Sequence, residues 1–153
     1  PNDNDAAALP AGAGNLNQNY PVLAAAAGSE GSGSASGTLE SVNGWYLIEL
    51  YASNDCGSFL QLSEGRYPLG RHILEITNAP SGQNGSASFA NVILQDWAVP
   101  FFFGEPRWIL ATATRYPASP SSGGRPRETS EFGPCIPYEI LDDTIFADDF
   151  DGP

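Results

Sequence analysis

Gly37-Thr38-Leu39-Glu40-Ser41, then, after the short link Val42-Asn43-Gly44, Trp45-Tyr46-Leu47-Ile48-Glu49-Leu50-Tyr51-Ala52-Ser53 decide the fold of this chain. Large apolar residues alternate with polar or smaller ones at period two, the mark of a strand with one buried face. In the second stretch Tyr46, Ile48 and Leu50 share one face. Trp45, Leu47, Glu49 and Tyr51 share the other. The run leads into Cys56, one of only two cysteines, and the other is Cys135.

Working outward, the same pattern recurs. Tyr20-Pro21-Val22-Leu23 reads as a short first strand, with Pro21 placing it at a sheet edge. Gly28 to Gly33 is a turn, and Ser34 to Ser41 a second strand. Strands follow over His72–Thr77, Ala87–Gln95 and Trp108–Tyr116. Pro117–Arg127 is a loop, and Glu128–Ile136 a last strand carrying Cys135. These are about seven strands with no helical periodicity, so the expected fold is an all-β, immunoglobulin-like antiparallel β-sandwich. A sandwich needs large residues in its core, which is where Trp45 and Trp108 are expected. The chain divides into an extended Asn/Asp/Gly-rich leader (1–19), the sandwich (20–136) and an acidic, apolar tail (137–153).

The 153 residues suffice for one domain with a core of its own. Two cysteines in a small β-rich chain predict a disulfide and an oxidising compartment. There is no methionine, so the chain reads as a processed product or a fragment, and a missing signal peptide is no argument against export. No apolar run approaches the ~20 residues needed to span a bilayer. Net charge is −12, half of it in Glu139, Asp142, Asp143, Asp148, Asp149 and Asp151. Phosphate binding needs clustered Lys and Arg, so nucleic acid is not an expected partner.

Several motifs then match a known module. Asn15-Leu16-Asn17-Gln18-Asn19-Tyr20-Pro21-Val22-Leu23 resembles the N-x-L-Q-N-[YF]-P-V-L opening of an immunoglobulin-like module. That module stands at the C-terminal end of exported bacterial surface proteins, often after right-handed parallel β-helix repeats of the CSLREA-domain type. Gly37-Thr38-Leu39 with Ser41, Ile48 to Ser53, Cys56, Gly65-Arg66, Leu69-Gly70, Ala87-Ser88-Phe89, Ala111 to Thr114 and Thr129 to Phe132 with Cys135 follow in register. Asp143 to Asp151 resembles an IF-x-DGF-[ED] ending of exported gammaproteobacterial proteins, with Asp149 in place of its Gly. The resemblance covers about residues 14 to 136. It implies a secreted or surface-attached module and carries no catalytic set. Phe101 to Arg107 departs from it, replacing a small polar turn.

Chemistry finds little purchase. His72 is the only histidine, and no Gly-x-Ser-x-Gly elbow accompanies it. One His and two bridged Cys cannot close a zinc shell. Glu40, Glu49, Glu64 and Glu75 offer carboxylates, but glutamates on alternating strands are ordinarily solvated faces. Calcium is the candidate cofactor, with Asp3 and Asp5 in the leader and Asp148, Asp149 and Asp151 in the tail as oxygen donors. Neither segment matches a twelve-residue calcium loop, and a solvated charge run is the plainer reading.

Trp97 and the run Phe101, Phe102 and Phe103 form a candidate ligand or partner patch. Glycans stacking on these rings or on Trp45, Trp108 and Tyr116 would make the chain a carbohydrate-binding module. In the tail, Ile140, Leu141, Ile145, Phe146 and Phe150 sit among acids. Such a segment either folds back on its own sandwich or adds to a neighbour's open sheet edge, giving filaments. The expected function is a non-catalytic structural or adhesive module outside the cell, contacting copies of itself or other surface proteins.

Overall fold

The computed structural model describes residues 18–29, 32–56, 65, 67–94 and 108–141. Among these, eight strands build two sheets: β1 (Val22–Gly28), β2 (Gly33–Ser41), β3 (Gly44–Ser53), β4 (Tyr67–Ile76), β5 (Gly85–Leu94), β6 (Trp108–Tyr116), β7 (Ile136–Pro137) and β8 (Glu139–Ile140). The first sheet has the order β5-β2-β1-β8 and the second β4-β3-β6-β7. All pairings are antiparallel except β1 with β8. This is the expected all-β sandwich of immunoglobulin type.

The inward faces supply the core. Leu23, Leu39, Phe89, Val92 and Leu94 come from the first sheet, and Tyr46, Ile48, Leu50, Leu74, Ile76 and Ile109 from the second. The alternation of β3 predicts its inner face correctly. Trp45 and Trp108, expected in the core, are only half-buried. Trp45 shares its strand face with Leu47, Glu49 and Tyr51, which points away from the first sheet. In β6 both faces are covered, and every residue from Ile109 to Thr114 is buried.

Three bulges break the period of two. The β1–β2 register shifts between Leu23 and Ala25, and the β2–β5 register between Ala35 and Gly37, so both extra residues lie opposite Ser36. A third shift, in β4, comes where Leu50 and Tyr51 pair with Gly70 and Pro68. Each extra residue moves the buried face by one position. That is why Leu23 and Ala26, Leu69 and Leu74, and Phe89 and Val92 all point inward. The same bulge breaks the alternation before His72, so β4, expected to begin there, begins at Tyr67.

The link from β2 to β3 crosses between the sheets. There the buried Tyr46 hydroxyl donates to Val42 O at 2.8 Å and lies 3.0 Å from Ser41 Oγ. The expected strand Glu128–Ile136 is irregular. Arg115 N of β6 donates to Glu128 O at 2.8 Å and its carbonyl accepts from Arg127 N at 2.9 Å, and Ser130 N and Gly133 N donate to Ala113 O and Ala111 O, each at 2.9 Å. Yet Ala113 N donates to Ser130 Oγ, so a side-chain hydroxyl replaces a backbone carbonyl and the regular ladder fails. Beside it Arg115 and Glu128 form an ion pair at 3.1 Å, with the Glu128 side chain nearly buried.

Candidate interaction site

Cys56 and Cys135 form the expected disulfide, with Cα atoms 5.8 Å apart. It does not cross the core between sheets, as the antibody-type bridge does. It ties the loop after β3 to the start of β7, at the flank of the second sheet. Both cysteines are half-buried and neither belongs to the core cluster.

Of the assembly residues, Ile140 and Leu141 are described. The chain there has folded onto its own first sheet: β8 pairs in parallel with Ala27 and Gly28, and Leu141 N donates to Gly28 O at 2.8 Å. Tyr138 anchors the turn by donating its hydroxyl to Ser29 O at 3.0 Å. Ile140 and Leu141 remain 46% and 61% exposed. Ile145, Phe146 and Phe150, the patch Trp97, Phe101, Phe102 and Phe103, and the carboxylates Asp3, Asp5, Asp148, Asp149 and Asp151 lie outside the described residues.

Among the described residues no three His, Cys, Asp or Glu side chains gather as a metal site would require. His72 is half-buried where the edges of the two sheets meet, its ring 6.2 Å from that of Phe89. Glu40 is on the first sheet, and Glu49 and Glu75 are in register with Arg71 and Trp45 on the second. No described helix is long and apolar enough to cross a membrane.

What the fold does assemble is a groove of about 740 Å³ on the outer face of the second sheet. Leu47, Ile73 and Tyr116 form its floor, Pro120 and Pro126 its wall, and Arg71 its rim. Register explains the floor: Leu47 stands opposite Ile73, and Tyr116 opposite Trp45 on the same outward face. The wall is the 117–127 loop, which makes a 3-10 turn at Pro120–Ser122 and is reversed by Gly123 at φ +82°. Further along this face Tyr51 and Phe132 meet edge to face, with ring centroids 5.3 Å apart. Burial raises the pKa of both Tyr46 and Tyr51 above the ordinary phenol value.

Tyr116 was a candidate from the sequence, as one of the exposed aromatics. Leu47, Ile73 and Arg71 were not. Their outward facing follows from alternation, but the loop that closes the groove over them is a tertiary contact with no local signal. Comparison with family models, curated proteins and solved structures finds no match.

Proposed function

We propose that this chain is a non-catalytic extracellular module of a bacterial surface protein, structural or adhesive, joined to copies of itself or to other surface proteins by its terminal segments. The observation that carries this reading is the way the C-terminal strand leaves the sandwich. β8 makes only two rungs with β1, and Ile140 and Leu141 stand exposed beside them. The sequence then continues with Asp142, Asp143, Ile145, Phe146 and Phe150, apolar groups that need covering set among acids that keep the segment soluble. The disulfide supports an oxidising compartment. The resemblance to C-terminal modules of exported bacterial proteins supports a surface location.

The test is the solution mass, by light scattering, of the whole chain and of one ending at Leu141. Association by the whole chain alone is expected. Equal monomeric masses for the two would overturn the reading.

A further inference from the structure

We propose that the groove floored by Leu47, Ile73 and Tyr116 is the surface on which a second copy's acidic segment, residues 142–153, docks. The inference rests on the assembly reading above and names the receiving site that reading left open, with side chains seated on a face instead of strands paired at an edge.

The first support is the floor. The outward face of an antiparallel sheet is ordinarily polar. Here it presents Leu47 opposite Ile73, the latter 36% exposed, with Tyr116 beside them and two prolines walling the side. Apolar groups so arranged leave room for side chains such as Ile145, Phe146 and Phe150.

The second support is charge. The chain carries −12 and only six cationic side chains. Arg71 forms the rim, and Arg125 and Arg127 are exposed in the loop that makes the wall. Among the described residues none of these three has an ion-pair partner, although Glu49 is the cross-strand neighbour of Arg71. Arg115, by contrast, is paired with Glu128. Residues 142–153 carry five Asp and no base, so they complement this rim.

The third is position. Leu141 is held at Gly28, on the first sheet and at the opposite end of the strands from the Trp45–Tyr116 rung. A tail starting there begins a strand's length away from its own chain's groove.

The experiment is light scattering of the full chain over a concentration series, at about 0.05 M and about 0.5 M salt, where surface charges are respectively felt and screened. Association is expected to be stronger at low salt, and to weaken at least tenfold in Arg71→Glu and Ile73→Asp. Arg71 is exposed and Ile73 36% exposed, outside the core, so both variants should stay folded, which circular dichroism and thermal unfolding would check. Adding Asp148→Arg, Asp149→Arg and Asp151→Arg to Arg71→Glu should restore association. If deleting residues 142–153 abolishes association while the two groove variants leave it unchanged, the groove is not the receiving surface and the assembly reading stands. If the full chain is monomeric throughout, both fall.

Discussion

Tyr46 is pinned to Val42, four residues upstream, by a 2.8 Å hydrogen bond from its buried hydroxyl. The bond spans the connection by which the chain passes from the first sheet to the second. Ser41 Oγ sits 3.0 Å from the same hydroxyl. Both oxygens belong to residues that leave β2, so the ring fixes the angle at which β3 begins. Tyr46→Phe keeps the ring in the core and removes only this clasp. A stability loss of about 1–2 kcal/mol is expected, since a buried acceptor is left unmet, and urea unfolding would measure it. No loss would mean that packing alone sets the corner.

The same residue sets the alkaline limit. Burial raises the Tyr46 pKa, the hydrogen bond to Ser41 opposing this in part, and burial raises Tyr51 as well. A raised folded-state pKa means that the native protein holds its proton more tightly than the unfolded chain. The associated stability is complete below pH about 10, the unfolded phenol value, and is lost as pH climbs toward the folded one. Unfolding free energy should therefore be flat up to pH about 9.5 and then fall, by up to about 1.4 kcal/mol per pH unit for Tyr46. Tyr46→Phe should show a shallower decline. An equal slope in the variant would show that Tyr46 is not responsible.

Reduction of the Cys56–Cys135 bridge opens a loop with a sequence separation of 79. The chain-entropy model puts the cost at about 4.5 kcal/mol. Cys56→Ala with Cys135→Ala should lower the midpoint of thermal unfolding by a large margin. The core should persist, because neither cysteine belongs to it. A midpoint unchanged on reduction would place the bridge's effect elsewhere than in the unfolded chain.

Asn91 is the only described non-glycine residue with positive φ, at +53°, and it lies in the β5 bulge opposite Ser36. Asn tolerates this left-handed conformation, whereas a β-branched side chain does not. Asn91→Val should cost about 1–3 kcal/mol and Asn91→Gly about zero or a small gain. Thermal unfolding of the pair would check it, and equal effects would argue against backbone strain as the cause.

Gly37, the bulge's neighbour in β2, has no room for a methyl group. A Cβ there would meet Val22 O at 2.5 Å and Phe89 Cζ at 2.8 Å. Gly37→Ala must push β1 and the Phe89 ring apart, and a loss of about 1–3 kcal/mol is expected in denaturant titration. Wild-type stability in that variant would mean that the first sheet yields more easily than a packed core.

Where a strand keeps one face in the core without interruption, as β3 does, alternation identifies both the element and its orientation. Three kinds of feature escape it. Bulges shift the phase, so Leu69 and Leu74 share a face that alternation assigns to opposite sides. A doubly covered strand such as β6 buries Thr112 and Thr114 along with Ala111 and Ala113, because the 127–133 segment lies alongside and Tyr51 and Phe132 pack beyond. The groove needs three strands and a distant loop in one place. Its residues are visible in the sequence, but their convergence is set by register and loop closure.

The bridge between Cys56 and Cys135 also has a mechanical consequence. Tension applied through the segments flanking the sandwich reaches β1 on one side and β8 on the other, and these run parallel, so their two rungs are sheared together instead of unzipped one by one. Beyond that point the remaining strand pairs carry the load, and the chain between the two cysteines cannot pay out while the bridge is intact. Some 270 Å of extended polypeptide is withheld in this way. Under such a load the 56–135 span would stay closed in an oxidising medium and lengthen only in a reducing one.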